Sequence, residues 1–88
     1  MACRLADGVQ VRKENWGLLF YASTRHKVCF VKSGHWLDPR HFDGSWTLDD
    51  IFADVASRTA SPVEIIERTL APLADRLIKN RVIINEIP

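Results

Sequence analysis

Few side chains in this 88-residue chain could do chemistry. The histidines are His26, His35 and His41, and the cysteines are Cys3 and Cys29. His26 sits in the polar stretch Arg25-His26-Lys27, at a hairpin connection where an imidazole needs no special reason. His35 and His41 flank a proline-containing loop. With Cys29 they can be drawn as a zinc site, but strong zinc signals show paired spacings. Neither a Cys-x-x-Cys nor a His-x-x-x-His occurs. Cys29 is the one candidate thiol nucleophile, and it lies inside the apolar run Val28-Cys29-Phe30-Val31. Cysteines in such runs are usually inert packing residues. Asp49 and Asp50 are adjacent carboxylates at a helix start, where capping accounts for them. The glycines at 8, 17, 34 and 44 are too scattered for a phosphate-cradling loop. These residues point to no catalytic group, no metal and no cofactor, and to a chain that acts by binding.

Composition narrows what it binds. At 47% hydrophobic and 26% charged, the chain is too apolar for a disordered tail and long enough for one domain with a modest core. Twelve basic residues against eleven acidic ones leave a net charge of +1, which gives little attraction to phosphate and argues against nucleic acid. Two cysteines are no disulfide framework, so the setting reads as reducing and cytoplasmic. No apolar stretch approaches the ~20 residues of a membrane span. Residues 1–8 lack the apolar segment of a signal peptide and are expected to fray, Cys3 with them.

The elements that must position a binding site come in two halves. Val9 and Val11 alternate with Gln10 and Arg12, which predicts a first strand. Leu18-Leu19-Phe20-Tyr21 behind Gly17 predicts a second. Val28 to Val31 predicts a third, ending at Lys32-Ser33-Gly34. Together they make an antiparallel meander that needs a helical layer over one face. Residues 34–46 are expected to form turns or a short helix capped by Asp38 ahead of Pro39, with Trp36, Leu37 and Phe42 as a lid on the core. Asp43-Gly44 reads as a turn.

Thr47 caps a helix carrying Leu48, Ile51, Phe52 and Val55, which fades over residues 57–60. Ser61-Pro62-Val63-Glu64 is a second start signal, with Ser61 at the N-cap and Pro62 at the first helical position. The apolar stripe Ile66, Leu70, Leu73, Leu77 follows, with Pro72 as a kink and Asn80 closing the helix in the left-handed conformation. Val82-Ile83-Ile84 reads as a short extended tail. The class is α+β and winged-helix-like: a three-stranded antiparallel sheet packed against about three helices.

Two functions fit that layout. In a winged helix-turn-helix the second long helix would read DNA, but Glu64, Glu67 and Asp75 share its exposed face with Arg68, Arg76 and Lys79. A solvated face with helix pairs such as Glu64 and Arg68 accounts for it equally. In a peptide binder, the third strand offers its edge to an incoming extended chain, with Lys27, Val28, Cys29, Phe30, Val31 and Lys32 as the template. The flank Ile65, Arg68, Thr69, Pro72, Arg76 of the last helix forms the opposite wall. Terminal lysines also guard an edge against aggregation, and Ile65 and Thr69 also suit peripheral core.

The run Gly17-Leu18-Leu19-Phe20-Tyr21, its connection, and then Phe30-Val31-Lys32 resembles the PqqD-like precursor-peptide recognition domains. Asp43-Gly44, Thr47-Leu48, Ile51 and the pattern through Leu70, Leu73 and Ile78 are similar to the same family. The likeness spans about residues 9–84, within one domain over 1–88, and is greatest to peptide chaperones of mycofactocin biosynthesis. It departs at residues 34–46, where the family has a fuller helix, and at Asn80, where the family commonly has Gly. The resemblance implies a non-catalytic chaperone that binds the leader of a ribosomally made precursor peptide as an added strand. The site would lie between residues 27–32 and the 65–76 flank. The partner would be a radical S-adenosylmethionine maturase, which carries the iron–sulfur clusters. In the mycofactocin case that enzyme oxidatively decarboxylates the peptide's C-terminal Tyr and cross-links it.

Overall fold

The computed structural model describes residues 2–86 and is an α+β structure. Strands β2 (Val9–Glu14), β3 (Gly17–Ala22) and β4 (Lys27–Val31) form the expected antiparallel meander in the order β2-β3-β4. Leu18, Phe20 and Ala22 alternate with Leu19 and Tyr21, and the first set faces the core. Gly17 is required where β3 begins. Its φ is +150°, and a Cβ there would sit 1.9 Å from the Val31 carbonyl oxygen. The connection Ser23–Arg25 is one turn of 3-10 helix, closed by His26 at φ 49°.

A second sheet corrects the one-sheet expectation. Strand β1 (Ala2–Leu5) runs between β5 (Asp43–Trp46) and β6 (Ile83–Glu86), antiparallel to both. Residues 2–5 are therefore not frayed. Cys3 is fully buried, opposite Asn85, and its thiol lies 3.6 Å from the Asn85 side-chain oxygen. Residue 1 lies outside the described residues. Asp43-Gly44 is also no simple turn, since it opens β5, with Arg4 paired to Asp43. The extended tail expected at 82–84 is present as the approach to β6 and its start.

Two helices are α-helical, α1 (Leu48–Thr59) and α2 (Val63–Lys79). The expected third helical piece is a single 3-10 turn, Pro39–Phe42, capped by Asp38. Thr47 caps α1 through a reciprocal box. Its hydroxyl accepts from the Asp50 N–H at 3.0 Å, and the Asp50 carboxylate accepts from the Thr47 N–H at 3.1 Å. Asp suffices at the third position because a short carboxylate reaches back across one turn.

At α2 the ends differ from expectation by one residue. Pro62, not Ser61, is the N-cap: its extended backbone leaves its carbonyl to accept from Ile65 and Ile66. At the far end Asn80 stays right-handed (φ −81°), and Arg81 takes the left-handed step at φ 60°. The Arg81 and Val82 N–H groups then satisfy the carbonyls of Ile78 and Leu77. The helix continues through Pro72.

One hydrophobic cluster joins these layers. Leu18, Phe20 and Val31 from the meander meet Ile51, Phe52 and Val55 of α1 and Ile66, Leu70 and Leu77 of α2. Leu37 and Phe42 close it as the expected lid, with Trp36 half-buried, and Phe42 meets Phe20 edge-to-face at 5.4 Å. Among the described residues, no helix is long and apolar enough to cross a membrane.

Candidate functional site

The meander has two edge strands, β2 and β4, each paired with β3 on one side only, and β4 is the one that α2 reaches through Arg76. Backbone polarity alternates along such an edge, so every second residue offers both N–H and C=O outward. Arg76 of α2 identifies the set, since its guanidinium donates to the Phe30 carbonyl at 2.7 Å, on the side away from β3. Val28 shares that parity. Lys27, Cys29 and Val31 then turn their groups to Ala22, Phe20 and Leu18, their partners in the β3 register. The edge thus presents two donors and two acceptors from Val28 and Phe30, with one acceptor already occupied by Arg76.

Side chains follow a second alternation. Cys29 and Val31 are buried in the core, whereas Val28 and Phe30 stand on the opposite face at 43% and 58% exposure. Of the six residues assigned to the strand wall, Cys29 and Val31 therefore shape the edge from behind. Lys27 and Lys32 flank it.

The helix residues named from the sequence share one flank of α2, and Arg76 links that flank to β4 through the Phe30 carbonyl. Ile66, Leu70, Ala74 and Leu77 bury the inner stripe, which leaves Ile65, Arg68, Thr69, Pro72 and Arg76 exposed. Ile65 is half exposed, beyond peripheral core. From Ile65 to Arg76 the flank rises about 16 Å, the length of a five-residue strand. The Thr69 hydroxyl is tied back to the Ile65 carbonyl at 3.0 Å. Pro72 has no N–H, so the Arg68 carbonyl lacks its usual helical donor and remains an acceptor on this wall. Arg68 makes no ion pair with Glu64, so the expected helix pair is absent among the described residues. Arg76 ties one end of the wall to β4, and the other outward groups of Val28 and Phe30 have no partner among the described residues.

Sequence reasoning missed a polar cluster under the lid. His41 is fully buried, its Nδ1 accepting from the Asp38 N–H at 3.1 Å. The proton is therefore on Nε2, which donates to Asp54 of α1 at 2.8 Å. Burial pushes the His41 imidazolium below the usual histidine range, against the pull of Asp54. The hydrogen bond from His41, with Arg58 and Arg40 beside it, holds the Asp54 carboxyl low. Partial burial works to raise Asp38, but Lys13 at 3.0 Å and Arg58 outweigh it and hold that carboxyl low too. Arg58 also donates to the carbonyls of His35 and Trp36, and Arg40 lies 4.9 Å over the Trp46 ring. The cluster clamps residues 35–42 onto α1. Its sequence signals were Asp38 three residues before His41 and Asp54 four before Arg58, spacings of a cap and a helix pair.

The three histidines are not brought together with Cys29. Among the described residues, no three His, Cys, Asp or Glu side chains converge as a metal site. An open groove of about 520 Å³ lies apart from β4, lined in part by Ile78, Ile83 and Ile84. Of the two arginines that line it, Arg25 is committed to the carbonyls of Asn80 and Arg81. Compared with protein-family models, curated proteins and solved structures, the chain finds no match.

Proposed function

We propose that this chain is a cytoplasmic, non-catalytic peptide chaperone of the PqqD-like kind, with a winged-helix-like arrangement of meander and helices. It captures the leader of a ribosomally made precursor peptide as a strand added to β4. It then presents that peptide to a radical S-adenosylmethionine maturase, most closely in the manner of mycofactocin biosynthesis. The observation that carries the reading is the β4 edge itself. Val28 and Phe30 offer outward backbone groups, and Arg76 of α2 reaches across to the Phe30 carbonyl.

An added strand supplies main-chain hydrogen bonds at Val28 and Phe30. Its side chains alternate between the outer face beside Val28 and Phe30 and the wall of Ile65, Thr69 and Pro72. Arg76 yields the Phe30 carbonyl to the strand and, with Arg68, is placed to meet leader carboxylates. The catalytic chemistry and its clusters belong to the maturase.

The test is a titration of isotopically labelled chain with synthetic leader peptides of candidate precursors, followed by backbone amide shifts. Val28 and Phe30 should shift most, with smaller changes along residues 65–76. Absence of shifts over residues 27–32 at saturating peptide refutes the site. An Arg68→Ala, Arg76→Ala double variant should bind more weakly and with less salt dependence. A DNA reader of the winged-helix kind would instead bind duplex at low salt through α2. Glu64, Glu67 and Asp75 on its outward face oppose that.

A further inference from the structure

The face of the meander turned away from the helices is apolar and uncovered. By strand alternation it carries Leu19 and Tyr21 from β3 and Val28 and Phe30 from β4, with Trp16 at the β2–β3 turn packed 5.7 Å from the Phe30 ring. Trp16, Tyr21, Val28 and Phe30 are 39–58% exposed. Leu19 lies across from Phe30, and Tyr21 from Val28, so the side chains form one continuous patch. At roughly 150–250 Å² per aromatic side chain, this leaves on the order of 300 Å² of apolar surface in water. A stable interface uses about 800 Å² per partner, so the patch alone is too small for one.

Charge on this part of the chain is one-sided. Residues 9–32 hold five basic side chains and a single acid, Glu14, a balance of +4 in a chain whose total is +1. Lys13 turns to Asp38, Arg25 to backbone carbonyls, and Lys27 shares the inward parity of Cys29 and Val31, which leaves Arg12 and Lys32 bordering the patch. Arg12 is 72% exposed and touches Glu14. A second copy placed face to face would set these cations against themselves. Single-stranded nucleic acid would need more cations on this face than the border supplies.

We propose that this outer face docks a protein partner with an apolar surface bordered by carboxylates, and that the bound leader completes the docking surface. On the function proposed above, on which this inference rests, that partner is the maturase. A strand added to β4 widens the sheet by one strand, so its outward side chains extend the Val28–Phe30 row. The partner then covers Tyr21, Phe30 and the leader together, and it holds a loaded chaperone more tightly than an empty one.

The experiment measures maturase binding to the full chain with and without saturating leader, beside leader binding measured separately by amide shifts. Leader should raise maturase affinity at least fivefold. Tyr21→Glu should lower maturase affinity at least tenfold and leave leader affinity within twofold, because Tyr21 is on the central strand and off the β4 edge. Arg12→Glu, on a well-exposed side chain, should lower it at least threefold and decides the matter if Tyr21→Glu does not fold. Leader binding with maturase affinity untouched by the folded variants overturns the outer-face proposal and leaves the edge reading standing. No leader binding overturns the edge reading itself. Micromolar self-association, or binding of a 12-nucleotide RNA, that disappears in Tyr21→Glu also overturns this inference, by giving the face another occupant.

Discussion

Replacing Val28 by proline separates the two roles of β4. The Val28 N–H points away from β3, so its loss breaks no bond of the meander. Proline is tolerated at such edge positions, and Lys27 before it is already extended, as a residue preceding proline must be. The folded state should lose no more than about 1 kcal/mol. An added leader strand loses more. One hydrogen bond is worth about 0.5–1.5 kcal/mol net, and the leader carbonyl left facing the ring carries a further penalty of about 1–3 kcal/mol. A total near 2 kcal/mol corresponds to roughly thirtyfold weaker binding.

Cys29→Pro is the contrast, since that N–H faces β3 and the side chain is buried. It should cost on the order of 3 kcal/mol or more of stability. Calorimetric titration with leader and urea unfolding measure the two quantities independently. Val28→Pro that binds leader within twofold of the parent refutes strand addition at this edge. Val28→Pro that unfolds like Cys29→Pro refutes the assignment of outward groups.

Gly17→Ala places a methyl against the Val31 carbonyl at a φ of +150° and should cost about 2–4 kcal/mol in chemical denaturation; an unchanged midpoint contradicts the close approach of β3 and β4. The folded-state pKa of His41 is lowered, so the unfolded chain binds its proton more readily. Stability should therefore be full above about pH 6.5 and fall as pH drops below it, with Asp38 and Asp54 adding loss in the same direction below about pH 4. Denaturation midpoints from pH 8 to 5 check this, and His41→Gln should flatten the profile between 6.5 and 5. Cys3 is buried and its thiol is pushed up by that burial, so alkylation should be on the order of 100-fold slower than in urea; rapid labelling of the native chain would mean that β1 is not formed.

The meander and both long helices were legible because each carries its own periodicity over enough residues to read. Leu18 and Phe20 alternate with Leu19 and Tyr21, and Thr47 announces α1 through a cap that needs only the four residues 47–50. The second sheet was not legible, because its strands are four residues long and its central pairing joins Ala2 to Glu86. Nothing near Cys3 encodes a partner so distant. Asp43-Gly44 carries turn chemistry, yet it is drawn into β5 by pairing with Arg4. The helix flank of the site was readable from spacing alone. Strand parity was not, since Lys27 to Lys32 reads the same whichever set faces outward, and only the Arg76–Phe30 bond decides it. The His41 cluster escaped for the same reason as β1, its partners lying on three separate segments.

A three-stranded sheet covered on one face has two edges and a back, and one of those edges meets the back at β4. Phe30 belongs to both, its carbonyl on the edge and its ring on the back. Whatever orders the edge therefore also shapes the back, and the two ligands cannot bind independently. Linkage fixes the size of the effect in both directions. If leader tightens the maturase fivefold, the maturase must tighten leader fivefold, a coupling of about 1 kcal/mol. Tyr21→Glu should then remove the coupling from both titrations while leaving the leader's own affinity in place. A coupling seen in one direction only would break the thermodynamic cycle, and would mean that the two titrations report different complexes.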